Sequence, residues 1–106
     1  MSKNKACEGV SCPITSVMKT LGGKWKLAII YTLRNGKLRF GQLAAYIPNI
    51  SRKVLTDQLK EMEKDGLIRR KEYQQTTLKV EYSLTSAAIE LKPILLDLEK
   101  WYIENN

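Results

Sequence analysis

Histidine is absent from this 106-residue chain. The absence removes the commonest general base, the usual partner of a nucleophilic serine or cysteine, and most zinc-site layouts. Cysteine is scarce: Cys7 and Cys12 are the whole supply, and a C-x4-C spacing without histidine makes a poor metal site. Long hydrophobic runs are missing too. The longest, such as Ala28 to Tyr31, fall far short of the ~20 apolar residues that span a bilayer. Met1 to Lys5 is polar and no apolar h-region follows, so no signal peptide is expected and the protein is expected in the cytoplasm. No segment pairs a long apolar face with a basic one, which argues against a membrane partner. An enzyme, a metal and a cofactor are therefore not expected, and no motif specifies a small-molecule effector.

Acidic residues are nearly absent from one half of the chain. Residues 1–53 hold ten Lys/Arg against the single acid Glu8, a balance of +9, whereas residues 54–106 hold eight against ten acids, a balance of −2. The formal charge of +7 is thus entirely N-terminal. A field this one-sided suits a polyanion whose condensed counterions are released on binding; a solvated basic surface is the plainer alternative.

What is present fits one domain over residues 1–106, with 1–11 expected to be a flexible N-terminal segment. A chain of this length buries roughly 65% of its unfolded surface in one core. Pro13 offers a pre-set first turn for a helix to about Thr20, ended by Gly22-Gly23. Trp25, Ala28, Ile29 and Leu33 make an amphipathic helix of Lys24 to Arg34, stopped by Asn35-Gly36. Lys37 to Arg39 fits a very short strand. Phe40, Leu43, Ala44 and Ile47 share one helical face, closed by Pro48. After the three-residue turn Pro48-Asn49-Ile50, Ser51 is a good N-cap, and Leu55, Leu59 and Met62 pin a second helix that ends at Asp65-Gly66.

The period then changes from 3.6 to 2: Leu67 to Tyr73 and Leu78 to Leu84 read as strands around a tip at Gln74 to Thr77. Thr85 caps a final helix interrupted by Pro93, which should kink it or loosen one turn. The expected fold is mainly α with a small β-hairpin: a winged helix-turn-helix with a three-helix core, a wing, and N- and C-terminal dimerisation helices.

The N-terminal turn of a second helix is the part that enters a DNA major groove. Candidate DNA-binding residues are therefore Ser51, Arg52, Lys53, Thr56 and Lys60 on that helix, Arg39 before the first, and Gln75, Thr76, Thr77 and Lys79 in the wing. Arg and Lys donate to guanine edges or phosphates, and a capped helix start aims N–H groups at a phosphate. For each basic residue a plain surface role stands beside the contact. Leu91, Leu95, Leu98, Trp101 and Tyr102 give the last helix a stripe too wide for one small core, and a homodimer interface is preferred. Double-stranded DNA and a second copy of the chain are thus the expected partners. Cys12, just before Pro13 at a helix start among lysines, is in a setting that favours the thiolate and is the redox-sensing candidate; an inert cysteine is the alternative.

Cys12-Pro13, Gly22-Gly23-Lys24-Trp25, Arg39-Phe40, Ile50-Ser51, Asp65-Gly66-Leu67-Ile68 and Val80-Glu81-Tyr82-Ser83-Leu84-Thr85 together resemble the HxlR-type winged-helix transcription regulators, relatives of the MarR group. The likeness covers about residues 12–102. It implies a dimeric bacterial-type regulator of palindromic promoter DNA, in a family that often responds to electrophiles or oxidants, and it matches Cys12 to the N-terminal cysteine that some members use as a thiol sensor. The family wing commonly carries prolines at its tip, which Gln74 to Thr77 lacks, and Ala88 stands where a glycine is frequent. A winged-helix module that docks a protein, and a small thiol oxidoreductase built on Cys7 and Cys12, are the readings from other classes.

Overall fold

A computed structural model describes residues 12–74 and 76–106; Cys7, Gln75 and the segment 1–11 lie outside the described residues. The chain order is α1 (Pro13–Leu21), α2 (Lys26–Thr32), β1 (Leu38–Arg39), α3 (Phe40–Tyr46), α4 (Arg52–Lys64), β2 (Ile68–Tyr73), β3 (Lys79–Leu84), α5 (Ser86–Ile89) and α6 (Lys92–Glu104).

Ile29, Ile30 and Leu33 from α2 and its end meet Leu43 and Ile47 of α3 and Leu55, Leu59 and Met62 of α4 in one buried cluster. Each fully buried side chain of this size contributes about 1.5–3 kcal/mol of apolar transfer. The three helices are short and gain their stability from this shared contact more than from propensity. Leu67, Ile68 and Ala88 close the cluster from the sheet side.

The sheet holds three strands in the order β1-β3-β2, all antiparallel, where sequence patterning suggests a hairpin. β1 is only two residues long, and it is recognisable as a strand because Leu38 faces Tyr82 and Arg39 faces Glu81. β2 and β3 pair from Ile68↔Leu84 at the base to Tyr73↔Lys79 at the tip. Thr85 joins sheet to helices: its hydroxyl donates to the Gly66 carbonyl at 2.7 Å and accepts from the Ala88 N–H at 3.3 Å.

Two helices differ from those expected, and the first, foreseen over Lys24 to Arg34, spans Lys26–Thr32. Lys24 and Trp25 belong to the turn after Gly23, whose φ of 95° breaks the helical path, so α2 begins at Lys26. The last helix is not one kinked rod. It is two segments separated at Glu90 and Leu91, and Pro93 sits in the first turn of α6, where the missing N–H has no helical acceptor to forfeit. No residue of α1 or α6 is buried. Among the described residues no helix is long and apolar enough to cross a membrane.

Candidate nucleic-acid interface

The turn between α3 and α4 is set by backbone geometry. Asn49 adopts φ 68°, the left-handed region that asparagine tolerates better than most side chains, and this reverses the chain between Pro48 and Ile50. Ser51 then stays extended, and its hydroxyl accepts the Val54 N–H at 3.0 Å as an N-cap. Leu55, Leu59 and Met62 are buried along one side of α4, so the other side is forced outward: Arg52, Lys53, Asp57, Lys60 and Lys64 are exposed and Thr56 is half-buried.

Two local contacts order the leading turn. The Arg52 guanidinium lies over the Phe40 ring of α3, 4.9 Å from its centroid. The Lys53 ammonium donates to Asp57 Oδ2 one turn on, at 2.8 Å. That hydrogen bond holds the Asp57 carboxyl below its ordinary pKa and the Lys53 ammonium above its own. Both side chains are in solvent and strongly screened, so the pair is an ordered surface contact and not a strong tether. Arg39, extended at the N-cap of α3, is exposed and offers its backbone N–H to Gln42 Oε1 at 2.9 Å.

Thr76 and Thr77 are exposed at the wing tip, while Lys79 is half-buried at the strand start. Gln75 lies outside the described residues. Between α4 and the wing runs a narrow cleft lined by Thr56, Leu59, Lys60, Glu63, Arg70 and Tyr82. Arg70 is held there by Glu72, with a further hydrogen bond to Tyr82, and these raise its pKa further.

Several participants were not visible in the sequence. Lys26, the first residue of α2, is 6% exposed and ion-paired with Glu61 on α4. Glu81 is more unusual: its side chain is 11% exposed, with Lys37 Nζ at 3.5 Å and Lys79 Nζ at 3.4 Å. Burial pushes its carboxyl up, but the Tyr73 and Lys79 hydrogen bonds and the charges of Lys37 and Lys79 outweigh burial and leave it below the ordinary range. Period-2 alternation places Lys79 and Glu81 on one face; the approach of Lys37 depends on β1 pairing with β3, which no local pattern announces.

The expected interface residues divide. Leu98, Trp101 and Tyr102 are 51%, 61% and 61% exposed, while Leu91 and Leu95 are half-buried against the chain's own core. On α1, Ile14, Val17 and Met18 are exposed as well. The Tyr31 hydroxyl donates to Glu99 Oε2 at 2.8 Å and so ties α2 to α6. Cys12, at the N-cap of α1, is fully buried.

The sequence profile of the family described as "HxlR-like helix-turn-helix" matches residues 20–106. The chain is similar to the HTH-type transcriptional regulator BH0655 of Halalkalibacterium halodurans, 48% identical over 94 residues that make up 88% of this chain and 83% of that protein. It is also similar to the HTH-type transcriptional regulator YdeP of Bacillus subtilis, 42% identical over 90 residues, 85% of this chain and 70% of the relative. Among solved structures, the redox regulator HypR in its reduced form superposes with a TM-score of 0.83 at 40% identity, covering 88% of this chain and 92% of HypR.

Proposed function

Because the chain belongs to the HxlR-like helix-turn-helix family of transcriptional regulators, we propose that it works as a cytoplasmic homodimer that binds palindromic promoter DNA in a sequence-specific way. The observation that carries this reading is the leading turn of α4. Leu55, Leu59 and Met62 anchor the helix inward, and Ser51, Arg52 and Lys53 are left exposed at its capped start. A helix so presented fits the major groove with its N-terminal residues against base edges. Arg39, Thr56 and Lys60 flank it, and the wing residues Gln75, Thr76, Thr77 and Lys79 reach the adjacent backbone or minor groove. Two copies joined through α6, with α1 beside it, would set their reading helices about 34 Å apart, one turn of B-DNA.

The regulatory part of the reading is a thiol response at Cys12, supported by the similarity to a redox regulator. A sulfur this deeply buried at the start of α1 couples its oxidation to movement of a helix that carries exposed apolar residues. Unchanged oxidant-induced DNA release in Cys12→Ser would remove it from the mechanism.

Selection of duplexes from a random pool, followed by titration of the winners, tests the core of the proposal. Enrichment of a two-fold site, and affinity that falls with log salt at a slope of about −0.9 per neutralised phosphate, are expected. Arg52→Ala should relax preference at one base position, at about 1–3 kcal/mol, and Lys53→Ala should weaken all sequences alike. Affinity for a protein partner that survives nuclease and high salt, with no enriched duplex, would favour a protein-docking module instead.

A further inference from the structure

A cavity of about 460 Å³ opens where α2 runs out into β1, lined by Tyr31, Arg34, Asn35, Lys37 and Leu38 and by Tyr46 at the end of α3. Gly36, at φ 139°, turns the chain here, so Arg34, Asn35 and Lys37 fall together within one short connection. Two cations line the cavity and, among the described residues, no acid does. The Arg34 guanidinium lies over the Tyr31 ring, 3.7 Å from its centroid, and its Nη1 donates to the Tyr31 carbonyl at 2.7 Å. These contacts hold the fork in place and leave most of its N–H donors for a ligand. Lys37 is looser: its side chain is 63% exposed and its ammonium stands 3.5 Å from Glu81 Oε1. Tyr46 is 65% exposed, a large ring left mostly uncovered.

The lining specifies a ligand chemistry. A guanidinium fork beside an ammonium, with no acid to offset them, suits a doubly charged phosphate better than a single carboxylate. The bare Tyr46 ring and Leu38 call for a flat, weakly polar body, since a base stacked on an aromatic side chain binds whatever its sequence. The Asn35 amide supplies one donor and one acceptor, the pair that matches a purine edge. The volume falls within the range of sites for molecules of many atoms and is far more than a phosphate ion fills.

We propose that this cavity binds a free purine nucleoside monophosphate, with its phosphate on Arg34 and Lys37, its base against Tyr46 and the base edge at Asn35. Tyr31 carries the consequence to another part of the molecule. It lines this cavity and also the groove formed with Leu95, Leu98 and Tyr102 of α6, and its hydroxyl donates to Glu99 Oε2 at 2.8 Å. A phosphate that draws Arg34 toward itself changes what lies on the Tyr31 ring, and the change is felt at Glu99 on α6. The binding site stands on its own geometry; its effect on DNA rests on the homodimer reading above.

Isothermal titration of the protein alone with AMP, adenosine and inorganic phosphate tests the site. AMP is expected to bind saturably, and about 5- to 150-fold more tightly than inorganic phosphate, the worth of one stacked base. Arg34→Gln should weaken AMP by about 10- to 150-fold, as loss of charged hydrogen bonds does, and Tyr46→Ala should bring AMP down to the affinity of phosphate. Lys37→Gln, at an exposed position, repeats the charge test should Arg34→Gln lower the urea midpoint. No saturable binding of AMP, equal affinity for AMP and phosphate or for AMP and adenosine, or AMP affinity that survives both Arg34→Gln and Tyr46→Ala, overturns the site. A 5′-phosphorylated single strand that competes as well as AMP would make a strand end the ligand and overturn the free nucleotide. With the site in hand, AMP should change affinity for the full palindrome and leave a single half-site unaffected. A palindrome indifferent to AMP overturns the coupling through Tyr31 alone, and failure to enrich any duplex overturns the DNA-binding reading while the titration still decides the site.

Discussion

The ammonium of Lys26 is buried where α2 begins and is received by the carboxylate of Glu61 in the last turn of α4; the two side chains are 8% and 54% exposed. A charge enclosed to this degree is tolerated because its counter-ion is supplied by α4 itself, so the pair fixes how α4 is seated against the rest of the unit. Removing the carboxylate is worse than removing the pair's cation, since it strands a charge out of water. Glu61→Gln is expected to lower stability by about 1–3 kcal/mol, below the range for fully buried pairs because Glu61 keeps much of its hydration. Lys26→Met, which keeps the apolar stem, is expected to stay within about 1 kcal/mol of wild type. Urea denaturation of both variants decides: equal losses would show that the ammonium is not what Glu61 is there to neutralise.

At the other end of α4, Gly66 has φ 77° and closes the helix with two bonds. The Leu67 N–H reaches the Met62 carbonyl at 2.9 Å, and the Gly66 N–H reaches that of Glu63 at 3.1 Å. This is the Schellman arrangement, in which a left-handed residue satisfies carbonyls that the helix cannot. A Cβ added at Gly66 meets nothing within 4 Å, so the cost of Gly66→Ala is conformational alone, about 1–2 kcal/mol. Thermal melting at fixed protein concentration should show a fall of about 4–8 °C per kcal/mol, and Gly66→Asn should lose less. An unchanged midpoint for alanine would mean the turn relaxes out of the left-handed region.

These two residues also show what the sequence made legible. Asp65-Gly66 announces a helix end by residue type, and Ser51 announces a start, because caps and left-handed turns are local chemistry. The buried face of α4 follows from the spacing of Leu55, Leu59 and Met62 for the same reason. Lys26 could not be read this way: a lysine beside Trp25 looks like an exposed helix position until Glu61, far along the chain, is brought to it. The short strand expected over Lys37 to Arg39 is present as β1, but its pairing with β3, and with it the approach of Lys37 to Glu81, depends on contacts across the sheet. Pro93 was legible as an interruption, but whether a proline bends a helix or starts a new one depends on how Leu91 and Leu95 dock on the core. Along the candidate interface, the outward turn of α4 was readable, while the division of the wing's cations between two faces required the strand register.

The Lys53–Asp57 contact leads to a prediction in pH and one in affinity. Asp57 is held below its ordinary value by the Lys53 hydrogen bond, so its contribution to folding is present above the ordinary carboxylate pKa and is lost as pH falls through the lowered value. Lys53 is raised by the same bond, so its contribution is present below the ordinary lysine pKa and is lost as pH climbs past the raised one. The interval between is flat, and the chain has no histidine to titrate within it. Urea midpoints should therefore be constant from about pH 5.5 to 7. Asp57→Asn releases Lys53 and removes an acid beside the incoming phosphates, and is expected to tighten DNA binding about two- to fivefold at low salt, an effect that shrinks as salt is added. Weaker binding by this variant at every salt concentration would mean that Asp57 orients Lys53 productively.

Trp101 is 61% exposed on α6, beside Leu98 at 51% and Tyr102 at 61%. A tryptophan that finds a partner buries about 150–250 Å², and this stripe has no covering element within the described part of the chain. Leu91 and Leu95 dock the start of α6 on the core and the Tyr31 hydroxyl donates to Glu99 further along it, so a symmetric contact through α6 would also set the separation of the two α4 helices. Trp101→Glu places a charge at the centre of that contact and is expected to shift sedimentation equilibrium from dimer to monomer. The DNA readout separates this from a general loss of fold. Affinity for a single half-site should match wild type, because the α4 surface is untouched, whereas affinity for the full palindrome should fall by about 10²–10⁴-fold as the second half-site loses its effective concentration. A variant that remains dimeric, or loses half-site and palindrome binding in equal measure, would place the interface elsewhere on the chain.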